Sequence, residues 1–260
     1  MIDTNDSEFL SRIESADLKA KICDAKTAAA MIQAGDILGI SGFTPCGYPK
    51  ITMHELAERM KETPFQVDVW TGASTGSQID TELVAVNGIR NRMPYQTNGN
   101  LRKAINAGSI NYYDLHLSHV AQQIRAGFFT NVKGERVTGP DFAVVEVCKI
   151  GPNGELYTTT AIGNSPVFVD TAKKVIVEVN TTQPLELAGM ADIYMRKNPP
   201  HCEPIPIKTA GDRVGTPYIP CDPAKIVAIV PCDLPDVTRA LAPLDDDAEA
   251  MGNNLIDFLK

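Results

Sequence analysis

The sequence predicts an α/β protein built on an open, mainly parallel sheet with flanking helices and at least one β-hairpin. Segments of strand character alternate with segments of helical periodicity along most of the 260 residues. Residues 141–150 and 174–179 are nearly continuous apolar runs, which is typical of strands buried on both faces of a parallel sheet. The turn Pro152-Asn-Gly154 then predicts a hairpin that joins the first of these strands to a short second one over 156–160.

In the first part of the chain, the pattern of strand, glycine-flanked loop and helix occurs twice. Asp24 is a residue type that caps helices, and Gly35 is a residue type that ends them. The predicted elements are a helix between Asp24 and Gly35, a strand over 36–41, a helix over 52–61, a strand over 66–71, a helix through Ile79, Leu83 and Val86, and a strand over 89–93.

The second part of the chain continues the alternation with longer connections. Here the predicted elements are a helix capped by Asn98 or Asn100, a helix capped by Ser118, a polar loop over 128–140, the hairpin, a helix opened by 164–166, the strand over 174–179, a proline-rich excursion over 180–223, a strand over 225–230 and a helix capped by Asp245.

Three regions follow from these patterns. We expect residues 1–22 to form an N-terminal arm, since they are polar with a weak helical pattern, and residues 23–244 to form the α/β domain. Residues 245–260 are expected to form a helix with one apolar face that leads to a second domain absent from this chain, because the pattern reaches Lys260 without a glycine stop.

Composition excludes several classes of protein. The net charge of −8 argues against a nucleic-acid-binding surface, which needs clustered Lys and Arg. No apolar run is long enough to span a membrane, and the N-terminus lacks the features of a secretory signal. We therefore expect a cytoplasmic protein with no membrane or nucleic-acid partner.

No metal site is expected. The six cysteines contain no C-x-x-C pair and are expected to be scattered, reduced thiols. His116 and His119 could share a helix face, but we favour a structural role because the sequence offers no third ligand.

The first candidate site is the loop Ser41–Lys50, which lies between a predicted strand and a predicted helix. Ligands of open α/β sheets bind at the carboxyl ends of strands, where such loops meet. Gly42 and Gly47 resemble the spacing of a phosphate-binding loop, yet Tyr48 and Pro49 stand where that loop needs Lys and Ser or Thr. Nucleoside triphosphate hydrolysis is therefore disfavoured, and a small-molecule loop or a structural turn remains.

The second candidate site is the turn Gly72-Ala-Ser-Thr-Gly76, which matches the G-x-S-x-G pattern of serine hydrolases. A triad on Ser74 could be completed by Asp114 or Asp192 with His116, His119 or His201. No histidine has the context of a strand end, so we favour a polar rim formed by Ser74, Thr75 and the glycine amides.

Four further side chains stand out. Cys46 and His54 could form a nucleophile and base, although a packing role for the thiol is favoured. Glu146 and Glu178 each interrupt an apolar strand. Because an unpaired buried carboxylate is costly, each should lie at a strand end, form a salt bridge or have a function.

Five stretches of the chain together resemble the N-terminal half of the acetyl-CoA hydrolase/transferase family of class I CoA-transferases, which act on acetyl-CoA with succinate, 4-hydroxybutyrate or similar carboxylates. The stretches are SGFTPCGYPK, TGASTGSQID, the region from RMPYQTNGNLRKAINAG to YYDLHLSH, AIGNSPVFVDTAKKVIVEVN and DRVGTPYIPCDPAKIVAIV. They occur in order and cover the chain from about residue 20.

The resemblance implies two similar α/β halves with the active site between them. It also implies that a glutamate in the second half attacks the acyl-CoA and forms a glutamyl-CoA thioester, so no catalytic residue is expected in this chain. The matched loops imply a substrate-carboxylate side of the cleft, with the candidate residues Gly42, Phe43, Gly47, Tyr48, Ser74, Thr75 and Gly76.

The expected partners are acetyl-CoA, a short-chain carboxylate, the C-terminal half and further copies of the same protein in a homo-oligomer. Coenzyme A thioester is expected as a substrate, with no permanently bound cofactor. Two alternatives remain, a docking module without catalysis and a serine esterase at Ser74. The sequence does not identify the acceptor carboxylate.

Overall fold

A computed structural model describes residues 3–237 and 241–260. The strands in these residues are β1 Ile37–Ile40, β2 Val67–Trp70, β3 Ile89–Met93, β4 Asn111–Tyr112, β5 Phe129–Thr130, β6 Arg136–Val137, β7 Phe142–Ile150, β8 Leu156–Thr158, β9 Lys174–Asn180 and β10 Ile226–Cys232. The main sheet has the strand order β10-β9-β7-β1-β2-β3-β4, with β8 paired to β7, and a separate two-stranded sheet pairs β5 with β6.

Helices cover both faces of the main sheet. They are α1 Ser7–Ser11, α2 Ala16–Lys19, α3 Ala25–Ala30, α4 Ile51–Glu62, α5 Gly99–Asn106, α6 Leu117–Arg125, α7 Ser165–Thr171 and α8 Asp246–Leu259, with a π-helix over Gln78–Leu83 and 3₁₀ turns at Leu185–Leu187 and Pro223–Lys225. No helix among the described residues is long and apolar enough to cross a membrane.

The sheet is parallel throughout its main path, and the β7–β8 hairpin is its antiparallel part. Side chains of β1, β7, β9 and β10 enter two apolar clusters, one on each face of the sheet. Burial on both faces explains why these strands have nearly continuous apolar runs. The predicted fold class, an open and mainly parallel α/β sheet with a hairpin, is confirmed.

The first described residues pack against the sheet. Phe9 on α1, Leu18 on α2 and Ile13 between the two helices are each no more than 1% exposed and lie in one of the two clusters. The guanidinium of Arg12 donates hydrogen bonds to the carbonyl oxygens of Cys148, Asn180, Thr181 and Gln183. This segment therefore covers the ends of β7 and β9.

Two local predictions are wrong. Helix α6 begins at Leu117, with His116 at the capping position, because the Ser118 hydroxyl lies 2.6 Å from Nδ1 of His116 and makes no capping bond. Residues 128–140 were expected to be a polar loop, but they contain the β5–β6 hairpin, whose turn is closed by Asn131 Oδ1 accepting from the amides of Lys133 and Glu135.

Two further segments differ in detail from the sequence prediction. The helix through Ile79 and Leu83 is a π-helix over Gln78–Leu83, and Asn111–Tyr112, for which no element was predicted, form the short strand β4. Asn98, one of two caps considered, caps α5 by accepting from the amides of Asn100 and Leu101.

Helix α8 begins after Asp245, whose carboxylate accepts from the amide of Ala248, as predicted. Every residue of α8 is at least partly exposed, and its large apolar side chains are among the most exposed in the described chain, with Phe258 at 85% and Leu259 at 74%. Such a face is of the kind that other protein surfaces cover.

Candidate functional site

Both candidate loops lie at the carboxyl edge of the parallel sheet. The first loop, 41–50, follows β1, and the second loop, 71–77, follows β2, which is the neighbouring strand. The segments after β3, β8, β9 and β10 reach the same edge and make hydrogen bonds with these loops or with the groups that hold them. This is the convergence that the fold class predicts for a ligand site.

The tip of the first loop is fastened to the second loop. Phe43 and Cys46 exchange backbone hydrogen bonds of 2.9 and 3.0 Å around a cis Thr44–Pro45 peptide. The amide and the hydroxyl of Thr44 both donate to the carbonyl of Ser74, at 3.0 and 2.6 Å. The side chain of Phe43 is left 66% exposed and is the most exposed of the seven candidate residues.

Tyr48 packs between the two loops, and two of the candidate glycines make room for it. A Cβ on Gly42 would lie 2.6 Å from Cβ of Tyr48, and a Cβ on Gly76 would overlap the Tyr48 ring. The ring is 1% exposed, and its hydroxyl donates to Oε1 of Gln78 at 2.8 Å. Tyr48, Gly42 and Gly76 therefore support the site from below and do not face solvent.

Ser74 forms a hydroxyl pair with Thr97, a residue that the sequence analysis did not single out. The Ser74 hydroxyl oxygen accepts from the amide of Thr97 at 3.1 Å and from its hydroxyl at 2.9 Å. Ser74 is 1% exposed, whereas Thr97 is exposed. Since both lone pairs of the Ser74 oxygen are engaged, its remaining capacity is to donate its own proton, which suits an acceptor ligand such as a carboxylate.

A buried charge cluster holds the first loop. Nζ of Lys50 lies 2.5 Å from Oε2 of Glu146 and 2.9 Å from Oδ1 of Asp236, and the Lys50 side chain is 1% exposed. Glu146 also accepts from the hydroxyl of Thr159 and the side-chain amide of Asn180. Of the three alternatives considered for Glu146, the structure shows the salt bridge, and we call these five residues the Lys50 cluster.

Glu178 caps helix α4 from a neighbouring strand. Its carboxylate, which is fully buried, accepts from the backbone amides of Lys50, Ile51 and Thr52 at 2.7, 3.2 and 2.6 Å. Those amides have no partner within the helix, and the positive end of the helix dipole favours a carboxylate there. Glu178 thus has a structural role at the base of the first loop.

A second buried ion pair lies under the second loop. Arg92, on β3, pairs with Asp80, on the π-helix, through two hydrogen bonds of 3.0 and 3.1 Å, and both side chains are fully buried. Nη1 of Arg92 also donates to the hydroxyl of Thr71, and Asp80 accepts from the amide of Thr75 at 3.4 Å. The pair therefore contacts the second loop at both of its ends.

Burial and charge shift the pKa values within the Lys50 cluster in different directions. Burial alone would lower the pKa of Lys50, but the charges and hydrogen bonds of Glu146 and Asp236 raise it above its usual value. For Glu146 burial outweighs its donors, so its pKa is raised, whereas hydrogen bonds from Thr160 and Lys50 outweigh burial and lower the pKa of Asp236.

The two nucleophile hypotheses are not supported by contacts among the described residues. The Cys46 thiol donates to the carbonyl of Phe43, and Nδ1 of His54 lies 2.7 Å from Oε2 of Glu82, so neither contacts the other. The hydrogen-bond partner of the Ser74 hydroxyl is Thr97 and no histidine. A serine nucleophile needs a base that takes its proton, and this arrangement provides none.

No group of three or more His, Cys, Asp or Glu among the described residues could hold a metal ion. The rings of His116 and His119 contact each other with their centres 5.2 Å apart and their planes tilted by 38°. A cavity of about 710 Å³ lies between α6, α7 and residues 195–203, but none of its lining residues belongs to the carboxyl-edge loops. It is therefore separate from the candidate site.

Sequence reasoning missed Lys50, Asp236 and Thr97. Lys50 carried a signal, since two carboxylates on buried strands require cations and Lys50 ends a loop of otherwise small or apolar residues. Asp236 and Thr97 carried none, because they reach the loops from segments that are distant in sequence.

Residues 8–231 match the model of the acetyl-CoA hydrolase/transferase N-terminal domain. The chain is 47% identical over 250 residues to succinyl-CoA:acetate CoA-transferase of Clostridium kluyveri, covering 95% of this chain and 45% of that protein. It is 39% identical over 240 residues to propanoyl-CoA:succinate CoA transferase of Escherichia coli, covering 90% of this chain and 47% of that protein.

The fold is also found among solved structures. RipA from Yersinia pestis superimposes with a TM-score of 0.63 at 15% identity, covering 93% of this chain and 49% of that chain. The chain thus spans about half the length of the curated relatives and of the solved structure that it matches.

Proposed function

The chain belongs to the acetyl-CoA hydrolase/transferase family, and we propose that it supplies the carboxylate-binding wall of a cleft in a CoA-transferase whose other half follows it. The whole protein would move CoA between acetate and another short carboxylate, or hydrolyse the thioester where water replaces that carboxylate. The observation that carries the proposal is the hydroxyl pair of Ser74 and Thr97 beside the exposed Phe43 at the carboxyl edge.

The state of the buried glutamates supports a nucleophile outside this chain. A glutamate that attacks a thioester needs a free carboxylate oxygen within reach of the substrate. Glu146 is held by Lys50, Thr159 and Asn180, and Glu178 is held by three backbone amides. The family resemblance implies a nucleophilic glutamate in the other half, and the engagement of both buried glutamates agrees with that assignment, which leaves this chain to bind and orient the carboxylate.

The seven candidate residues divide into two roles in this proposal. Phe43 and Thr97 are the exposed part of the wall that the substrate approaches, and Ser74 and Thr75, which are 1% and 2% exposed, are buried behind it. Gly42, Gly76 and Tyr48 hold the two loops together beneath it, and Gly47 packs the first loop closely against Ala161. Coenzyme A thioester is a substrate here and not a resident group.

The proposal extends to the chain's surroundings. We assign residues 23–244 to the α/β domain and residues 1–22 to its N-terminal arm. Residues 245–260 are assigned as the connection to the other half and as a contact with it, because the apolar side of α8 is exposed. The six cysteines are all unpaired thiols, which supports a reducing, cytoplasmic location. We also propose a homo-oligomer, to be tested by sedimentation of the whole protein.

The test uses the whole protein with acetyl-CoA and succinate, following CoA thioesters by chromatography. We expect transfer by the wild type, and a roughly ten- to hundredfold lower kcat/KM for Ser74→Ala, since one hydrogen bond to a charged ligand contributes about 1.5–3 kcal/mol. Ser109→Ala, an exposed serine whose hydroxyl bonds to the carbonyl of Ala104, is the control and should be unchanged.

Residues 1–260 alone should show no turnover, and activity should return when the other half is supplied. Turnover by 1–260 alone would place the nucleophile in this chain and refute the proposal. A Ser74→Ala variant with wild-type kinetics would remove Ser74 from the binding wall.

A further inference from the structure

Asp236 brings together segments that are far apart along the sheet. It follows β10, and two strands, β9 and β7, lie between β10 and β1 in the sheet. Nevertheless its carboxylate contacts the loop after β1. The segment 233–237 must therefore cross the carboxyl ends of the intervening strands.

The carboxylate of Asp236 accepts from four donors among the described residues. Oδ1 accepts from the amide of Gly47 at 3.1 Å and from Nζ of Lys50 at 2.9 Å. Oδ2 accepts from the hydroxyl of Thr160 at 2.6 Å and from the side-chain amide of Gln183 at 3.0 Å. Two donors on each oxygen, with the side chain only 13% exposed, leave little capacity for a ligand.

Gly47 is confined on its other side as well. Its φ of +65° is in the left-handed region, and a Cβ there would lie 2.5 Å from both the amide nitrogen and Cβ of Ala161. The backbone of Gly47 is thus fixed between Ala161 and Asp236. Three residues earlier, Thr44 bonds to the carbonyl of Ser74, so the position of Gly47 bears directly on the spacing between the two loops.

We propose that Asp236 is a positioning residue that sets the distance between the first loop and the Ser74–Thr97 pair, and so determines how tightly the substrate carboxylate binds. It does this from the far edge of the sheet and without touching substrate. The kinetic part of this inference rests on the function proposed above, whereas the structural part, the fixing of residues 42–49, does not.

The test is Asp236→Asn in the whole protein. The asparagine side chain keeps one acceptor oxygen, but an NH₂ group replaces the other oxygen. Because an NH₂ group cannot accept hydrogen bonds, the two donors that faced the replaced oxygen lose their partner. We expect KM for the carboxylate to rise roughly tenfold with a smaller change in kcat, as expected for loss of one or two charge-assisted hydrogen bonds that orient the wall. Hydrogen exchange of the peptide covering 42–49 should be accelerated by a similar factor.

Asp141→Asn is the matched control. Asp141 holds the opposite end of β1, where its carboxylate accepts from the amide of Ile37 at 2.9 Å and from Nζ of Lys173 at 2.7 Å, and it is 22% exposed. This variant should lower stability by a comparable amount and leave KM and the exchange of 42–49 unchanged. Equal changes in KM for both variants would reduce Asp236 to a general stabilising role and overturn the proposal.

Thr160→Val gives a milder second variant if Asp236→Asn does not fold. It removes one donor at an exposed position, and we expect KM to rise roughly threefold for the loss of one hydrogen bond. Unchanged exchange of 42–49 in Asp236→Asn would contradict the inference whatever the activity. Faster exchange in a protein that has no transferase activity would support the fixing of the loop and count against the proposed function instead.

Discussion

The two loops at the carboxyl edge are held by buried charges in different ways. The second loop rests on Arg92 and Asp80, a two-residue ion pair from the same strand-and-helix unit. The first loop rests on the Lys50 cluster, whose other members come from β7, β9 and the segments after β8 and β10. A disturbance of the second loop should therefore stay local, whereas the position of the first loop depends on the whole side of the sheet from β1 to β10.

The largest effect is expected from breaking the Arg92–Asp80 pair. Arg92→Met leaves the Asp80 carboxylate buried and without its cation, which costs about 3–5 kcal/mol in free energy of unfolding. Adding Asp80→Asn should restore part of this loss because the unpaired charge is removed. Denaturant titration of the whole protein measures both, and a loss below about 1 kcal/mol for Arg92→Met would show that the pair is not isolated from water.

A smaller loss is expected from Glu178→Gln, on the side of the first loop. The amide removes a charge from the N-terminus of α4 and turns a donor toward backbone amides, at a cost of about 2–3 kcal/mol. Asp24→Asn, the exposed cap of α3, is the control and should cost no more than about 1 kcal/mol. If both variants lose the same amount, burial adds nothing to the strength of the Glu178 cap.

Next in size is Gly47→Ala, compared with Gly108→Ala. Both glycines have positive φ, at +65° and +74°, but Gly108 has no atom within 4 Å of a Cβ, whereas Gly47 meets Ala161. Gly108→Ala should lower the free energy of unfolding by about 1 kcal/mol, from backbone strain alone. Gly47→Ala should lower it by about 1–2 kcal/mol more, because the new methyl group overlaps Ala161. If thermal unfolding shows the same loss of stability for both variants, Ala161 can move away from the new methyl group at little energetic cost.

The smallest effect at neutral pH concerns Tyr48, which packs between the two loops. Burial raises the pKa of Tyr48 from 10.0 to about 12. Between pH 10 and pH 12 the unfolded chain loses the phenolic proton, whereas the native state keeps it. In this range the free energy of unfolding should therefore fall by about 1.4 kcal/mol for each pH unit. The stability difference between wild type and Tyr48→Phe should be constant below pH 10 and shrink above it; a constant difference up to pH 12 would indicate that water reaches the hydroxyl.

Local pattern was sufficient for most of the fold. Strand 89–93 and the Asp245 cap were predicted at the bounds that the structure has, because apolar alternation and capping depend on neighbours in sequence. The cap at Ser118 was wrong because its hydroxyl bonds to His116 instead, and the β5–β6 hairpin was missed because its two-residue strands carry no periodicity.

The candidate site was predicted only in part. Glycines in loops between strands and helices located the two loops, and Glu146 was recognised as needing a partner. The identity of that partner depends on tertiary structure, since Lys50 is 96 residues away in sequence and Asp236 approaches Gly47 across 189 residues. Pairings of this separation leave no periodic trace in a single sequence.

The attachment of the first twenty residues to the sheet has a consequence for folding during synthesis. Arg12 and Ile13 bond to strands β7 and β9, and the amide of Cys23 donates to the carbonyl of Ile229. At about 5–20 residues per second, the ribosome needs roughly ten to forty seconds between making the first segment and making its last partner. During that interval the apolar side chains of Phe9, Ile13 and Leu18 lack the contacts that bury them in the native fold. The segment is therefore a binding site for chaperones that recognise short apolar stretches until synthesis of β10 is complete.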